Sequence, residues 1–113
     1  MTQNTLKWET FQEVDMRIGT IISVENFTEA KKPAYKLVVD FGPLGHLKTS
    51  AQITNLYSVT ALIGKQVVAV VNFPPKQIAN TMSACLILGG LSGGQEVVIL
   101  QPERTVPNGT KVG

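Results

Sequence analysis

The chain has 113 residues, which suits one domain spanning residues 1–113 that buries a core without disulfide or metal cross-links. Apolar residues make up 43% and charged residues only 16%, which excludes a disordered chain and suggests that some apolar surface is buried in an oligomer. Neither a cleavable signal nor an apolar run of about 20 residues is visible, so we expect neither export nor membrane insertion.

The single cysteine, Cys85, rules out an internal disulfide and favours a reducing cytoplasm. Its apolar neighbours favour a buried thiol over a nucleophile. The sole histidine, His46, has no nucleophile-elbow motif to complete a Ser-His-Asp site, and it leaves too few ligands for zinc. We therefore expect no enzyme activity, no metal and no cofactor.

Near the start of the chain, Thr10 to Glu13 fits a capping box and predicts a short helical turn that ends near Asp15. The apolar side chains of Leu6, Trp8 and Phe11 lie just before or within this turn. A cluster of this kind so close to a terminus usually packs on another surface.

Three segments with alternating polarity then predict strands at Met16–Asn26, 34–41 and 46–53. Gly19 within the first strand indicates a bulge or a sharp bend, as small barrels need for closure. Tyr35 and Phe41 are expected to point inward from the second strand. Lys48, Ser50 and Gln52 belong to a polar row on the third strand, although any half-buried strand shows such a row.

The second half predicts a short helix capped by Ser58, two strands at 67–71 and 85–88, a turn at 90–94 and a strand at 96–100. Pro74 and Pro75 indicate that the link between the first two of these strands is not itself a strand. Its polar groups, among them Asn72, Lys76 and Ser83, are interpreted as half of a binding site. Residues 101–113 are expected to be irregular unless they pack on another surface.

Five short strands, a bend glycine in the first and a helix between the third and fourth predict an all-β OB-fold barrel with N- and C-terminal extensions. Residues 31–95 carry six lysines against one acidic residue, Asp40, which suggests an anionic partner. The OB-fold plan brings five of these lysines to the predicted binding surface: Lys31, Lys32, Lys36, Lys48 and Lys76. A simple solubilising role for the lysines is the alternative.

The chain also resembles the tRNA-binding-domain family, in the segments FQEVDMRIGTI, KKPAYKLVVDFG, SAQITNLY, LIGKQVVAVVNFPPKQI, LILGG and LQPERTVPNGTKV. That family includes stand-alone tRNA-binding proteins, extensions of methionyl-tRNA synthetases and small bacterial chaperones associated with protein export, and the likeness is to these chaperones. The resemblance implies an OB barrel, a homodimer, and binding of tRNA, unfolded polypeptide or both. It also places a polar binding set at Ser50, Gln52, Asn72, Lys76 and Ser83, and a dimer contact at Leu6, Trp8, Phe11, Leu100, Pro102 and Val106.

Three hypotheses remain open from the sequence. The first is an RNA-binding module whose lysines contact phosphates while Ser50, Gln52, Asn72 and Ser83 contact sugars or base edges. The second is a dedicated export chaperone with no physiological RNA ligand, whose apolar groove holds extended polypeptide against Val68, Val70, Phe73 and Pro74. The third is a dimeric interaction domain without a ligand of its own.

Overall fold

The computed structural model describes residues 4–113. In that part of the chain the elements are helix α1 Trp8–Gln12, β1 Met16–Asn26, β2 Tyr35–Asp40, a 3-10 turn Gly42–Leu44, β3 His46–Ala51, α2 Val59–Leu62, β4 Gln66–Val70, β5 Lys76–Ile78, β6 Thr81–Ser83, β7 Leu86–Ile87, β8 Gly89–Gly93, β9 Glu96–Ile99 and β10 Lys111–Val112. Neither helix has the length and apolar character needed to cross a bilayer.

Five strands form the predicted barrel. They lie in the order β3, β2, β1, β4 and β7, with every neighbouring pair antiparallel. The amide of Ala84 donates to the Lys48 carbonyl at 2.8 Å, and the Thr49 hydroxyl donates to the Cys85 carbonyl at 2.6 Å. These hydrogen bonds hold the residues just before β7 against β3, so the barrel is nearly closed. The all-β OB-fold prediction, including the short helix between β3 and β4, is confirmed.

The core follows the alternation of β2. Leu37, Val39 and Phe41 are fully buried, and Tyr35 is nearly so, while the residues between them are only half-buried. Burial of each large apolar side chain contributes about 1.5–3 kcal/mol to stability. Helix α2 adds the buried Leu62, and the Ser58 hydroxyl caps it by accepting from the Ala61 amide, as predicted.

Gly19 allows close packing and is not the site of a bulge. The irregularity in β1 lies between Ile21 and Ser23, where the pairing with β2 shifts. A Cβ atom on Gly19 would lie 2.7 Å from side-chain carbons of both Phe41 and Val39. The glycine is therefore required because the barrel interior leaves no room at that position.

Helix α1 begins at Trp8 and is not capped by Thr10, so the capping-box prediction is wrong. The Phe11 amide donates a hydrogen bond to the Lys7 carbonyl at 3.1 Å, so the helix begins before Thr10. The rings of Trp8 and Phe11 pack with centroids 5.6 Å apart. This contact between residues three apart favours the earlier start and places Thr10 inside the helix.

The link after β4 contains strand, contrary to the prediction. β5 and β6 form a hairpin with a tight turn at Ala79 and Asn80, where Ala79 has a φ of 48°. Both prolines precede β5 and so do not interrupt its hydrogen bonds. The prolines therefore exclude residues 74 and 75 themselves from a strand, but they do not exclude the residues that follow.

The predicted turn at 90–94 is also largely strand. β8 runs through Gly89 and Gly90 and pairs with β9, and only Gly93 and Gly94 adopt the positive φ of a turn. A Cβ on Gly89 would lie 2.5 Å from a Val97 side-chain carbon. The first glycines of this segment therefore allow β8 to lie close to β9. From the sequence alone, the same glycines indicate a turn.

The C-terminal tail is mostly irregular, as expected, and it packs on the barrel of the same chain. The Gln66 side chain donates to the Val106 carbonyl at 2.8 Å and accepts from the Val106 amide at 3.1 Å. The Gly109 amide donates to the Ile18 carbonyl at 2.7 Å, and β10 pairs with the start of β1. Asp15 forms ion pairs with Arg17 at 2.7 Å and with Lys111 at 3.6 Å, which fix the tail's last strand.

Candidate nucleic-acid interface

A groove of about 930 Å³ lies beside the gap between β3 and β7. One wall is the β1–β2 loop, which contributes Lys31 and Lys32, and another is the end of β3, which contributes Ser50 and Gln52. The tip of the β5–β6 hairpin reaches the same groove through Ile78. Four of the predicted binding residues are thus brought together around one concavity, on the surface where an OB fold binds ligands.

The two rim lysines are free to bind an anion. Both Lys31 and Lys32 are exposed, and neither forms an ion pair with any residue in the described range 4–113. No carboxylate of the described residues therefore competes with an anionic ligand for these two side chains. Paired lysines beside a hydroxyl and an amide suit a phosphate with an adjacent sugar or base edge.

The floor of the groove is apolar, and none of the residues predicted to line an apolar peptide groove belongs to it. Its aliphatic side chains come from elements far apart in the chain: Ala34, Ile53, Leu86, Ile87, Leu88, Leu91 and Val97. Leu91 is 84% exposed. No aromatic side chain of the described residues lines the groove, so a stacked base would find no ring there. Alternation within each strand does not reveal this floor, because β7, β8 and β9 are too short to show a period.

A second group of predicted residues lies where the hairpin meets β3. Lys76 pairs with Ser83 across the hairpin, and the Ser83 hydroxyl lies 3.1 Å from the Thr49 hydroxyl. Lys48 is held next to this point by its carbonyl, which bonds the Ala84 amide. Lys48 and Lys76 are exposed and form no ion pair among residues 4–113. Lys48 stands two residues before Ser50 on the same outer face of β3.

Lys36 is placed differently from the other four lysines. Its side chain is 24% exposed, and its Nζ lies 3.8 Å from a carboxylate oxygen of Glu25 and 3.8 Å from one of Glu29. The same Nζ lies 5.1 Å from the centre of the Phe27 ring. Lys36 faces the outer side of β2, as predicted, but acidic residues of its own chain already neutralise it.

Asn72 has both ends of its side-chain amide occupied within the chain. Its Oδ1 accepts from the Asp15 amide at 3.0 Å, and its Nδ2 donates to the Glu13 carbonyl at 2.8 Å. The side chain therefore ties the end of β4 to the segment that follows α1. This contact joins parts of the chain 57 and 59 residues apart, which no local pattern predicts.

The residues predicted to hold a peptide differ in accessibility. Phe73 and Pro74 are exposed, Val68 is half-buried, and Val70 is buried against the core. Of this set, Phe73 and Pro74 present open apolar surface, on the link that leads to the hairpin.

The residues predicted to form a dimer contact are also unevenly placed. Leu6 and Trp8 are 69% and 63% exposed, and Leu100 is exposed as well. Phe11, Pro102 and Val106 are half-buried. Large exposed apolar side chains at both ends of the chain are typical of a surface that another molecule covers.

Two buried groups support the site without facing it. The Thr49 hydroxyl is the one buried polar side chain of the core among residues 4–113, and it is satisfied by Cys85 and Ser83. Burial raises the pKa of the Cys85 thiol to about 11, so it stays protonated at neutral pH and is not a nucleophile. Among the described residues, no three His, Cys, Asp or Glu side chains come together as a metal site would require.

Comparison with known proteins places this geometry in a family. Residues 16–111 match the family described as "Putative tRNA binding domain". The structure of the chaperone CsaA from Bacillus anthracis has 49% sequence identity and a TM-score of 0.94, covering 97% of this chain and 100% of that one. The CsaA chaperone protein from Picrophilus torridus has 46% identity and a TM-score of 0.89, covering 96% and 100%.

A curated relative is the methionine–tRNA ligase of Methanococcoides burtonii, 32% identical over 108 residues that cover 96% of this chain. The chain spans only 16% of that ligase, so the two share a domain and not a whole architecture. The family match covers most of the chain, and the barrel agrees with the solved chaperone structures. The chain belongs to the tRNA-binding-domain family, and its likeness to solved structures includes the CsaA chaperones.

Proposed function

We propose that this protein is a non-enzymatic, cytoplasmic tRNA-binding protein of the chaperone type. The observation that carries the proposal is the groove bordered by Lys31, Lys32, Ser50 and Gln52, in which both lysines lack an acidic partner in the described part of the chain. Phosphate contacts supply most of the affinity for nucleic acid and fix its position, whereas hydroxyl and amide groups read sugars and base edges. The family match to a tRNA-binding domain supports tRNA as the ligand.

In this proposal the RNA backbone runs from the groove rim onto the outer face of β3 and the hairpin. Lys48 and Lys76 continue the cationic surface there, with Ser83 between them. Because no aromatic ring of the described residues lines the groove, recognition depends on the shape of the tRNA and on its phosphates more than on stacked bases.

A second candidate activity is binding of unfolded, export-bound polypeptide. The aliphatic floor of the groove and the exposed Phe73 and Pro74 favour it, because apolar burial attracts extended chains without a sequence requirement. The structural neighbours from Bacillus anthracis and Picrophilus torridus are both chaperones, which adds support.

One double substitution tests whether tRNA binding and polypeptide binding depend on different residues. In the variant Lys48→Glu with Lys76→Glu, we expect tRNA affinity to fall at least about 10-fold, because two phosphate contacts become repulsive. Suppression of a model protein's aggregation is expected to persist, because the apolar floor is unchanged. Equal loss of both activities would contradict separate determinants, and full retention of tRNA binding would contradict the proposed RNA path.

We further propose that the protein acts as a homodimer joined through its apolar ends. Leu6, Trp8 and Leu100 leave large apolar surfaces uncovered on one chain. Sedimentation equilibrium should give twice the 12.2 kDa mass of the chain, and Trp8→Ser should shift the protein toward the single-chain mass. A wild-type protein that sediments as one chain at micromolar concentration would contradict the dimer.

A further inference from the structure

The four lysines of the proposed RNA path form no ion pair among residues 4–113, whereas Lys36 lies near two carboxylates. Its ammonium group lies 3.8 Å from both Glu25 and Glu29, and it also lies over the Phe27 ring. The three charged side chains together carry a net charge of −1. A phosphate that approached Lys36 would therefore meet net repulsion unless a carboxylate moved away.

Glu29 is the member of this cluster that lines the groove. Lys31 and the hairpin residues Ile78 and Ala79 line it as well. Its pKa is lowered by a bond to its own backbone amide, by the Lys36 ammonium, and by the side chains of Thr28 and Asn80. Its carboxylate is thus ionised at neutral pH and stands between the β1–β2 loop and the hairpin.

Resting on the proposed RNA function, we propose that Glu25 and Glu29 together determine the path of the RNA by withholding Lys36 from the ligand. The two carboxylates keep Lys36 paired within the chain, and the charge of Glu29 disfavours a phosphate on this side of the groove. A bound RNA backbone is thereby confined to the path marked by Lys31, Lys32, Lys48 and Lys76. Lys36 becomes a phosphate contact only when both carboxylates release it.

The test compares Lys36→Met, the double variant Glu25→Gln with Glu29→Gln, and the triple variant that combines them, in tRNA titrations at several salt concentrations. Lys36→Met keeps an unbranched side chain over Phe27 while removing the charge. We expect it to change affinity less than about 2-fold, because the wild-type ammonium makes no phosphate contact. Glu25→Gln with Glu29→Gln should tighten binding about 5-fold and steepen the salt dependence by about 0.9 in slope, the increment for one added phosphate contact.

The added salt dependence of the Glu25→Gln, Glu29→Gln variant should vanish when Lys36→Met is added, because the freed Lys36 is its source. The matched control is Glu9→Gln with Glu103→Gln, which removes the same charge outside the groove, and it should leave the salt dependence unchanged. A steeper salt dependence that persists in the triple variant, or a loss from Lys36→Met equal to that from Lys31→Met, would overturn the inference. A wild-type protein that binds no tRNA would instead overturn the proposed function, and this inference with it.

Discussion

Replacing both Lys31 and Lys32 by Glu will weaken tRNA binding about 100-fold at low salt, the largest loss that we expect from any pair of surface substitutions. Both lysines are exposed, lie on the groove rim and lack an acidic partner among residues 4–113. Each reversal removes one phosphate attraction and adds one repulsion. Filter binding or fluorescence anisotropy with labelled tRNA measures the effect.

The matched control is Lys65→Glu with Arg104→Glu, which changes the net charge by the same amount. Lys65 precedes β4 and Arg104 lies in the tail beside Glu103, and neither lines the groove. We expect the control to weaken binding less than about 5-fold, through the overall field alone. Equal losses in the two double variants would show that net charge, and not the groove, accounts for binding.

The largest expected effect on stability comes from Gly19→Ala, which should lower the free energy of unfolding by about 3 kcal/mol. The added methyl group would lie 2.7 Å from Phe41 and Val39 side-chain carbons and 2.8 Å from the Asp40 carbonyl oxygen. Neither fully buried neighbour can move without displacing others. Urea unfolding followed by far-UV circular dichroism measures the change.

Gly90→Ala is the corresponding control, because Gly90 also lies in a strand but has open space where a Cβ would be added. Its added Cβ would meet only the Val98 carbonyl oxygen, at 3.8 Å. We expect a change in unfolding free energy below about 1 kcal/mol for this variant. If Gly19→Ala were as mild as Gly90→Ala, the account of how β1 packs against β2 would be wrong.

The barrel was predictable because its long strands carry the alternation that burial imposes. β1 has the predicted bounds, and the inward residues of the second strand, Tyr35 to Phe41, are all buried. Short elements were less predictable, since three residues of β5 or two of β7 show no period. The hairpin β5–β6 was missed because two prolines just before it dominated the local pattern.

The site was predictable in its charges but not in how they are used. The sequence places Lys31, Lys32 and Lys36 near one another, yet only the fold shows that Lys36 forms ion pairs with Glu25 and Glu29. Asn72 looks like a ligand contact from its place in a polar link, whereas it bonds the backbone near Asp15. The Asn72 contacts join parts of the chain 57 and 59 residues apart, so no spacing or composition rule reveals them. Thr49 did carry a local signal, because a polar residue at an inward position requires a buried partner.

The most direct test of the central claim is a titration of the wild-type protein with tRNA between about 50 and 200 mM salt. The four lysines along the proposed path, which have no ion-pair partner in the described range 4–113, correspond to a slope of about −3 to −4 in the logarithm of affinity against that of salt concentration. Affinity should therefore fall roughly 100-fold over this range. An affinity that stays constant, or a protein that fails to bind tRNA at the lower salt concentration, would contradict a cationic groove built to hold RNA.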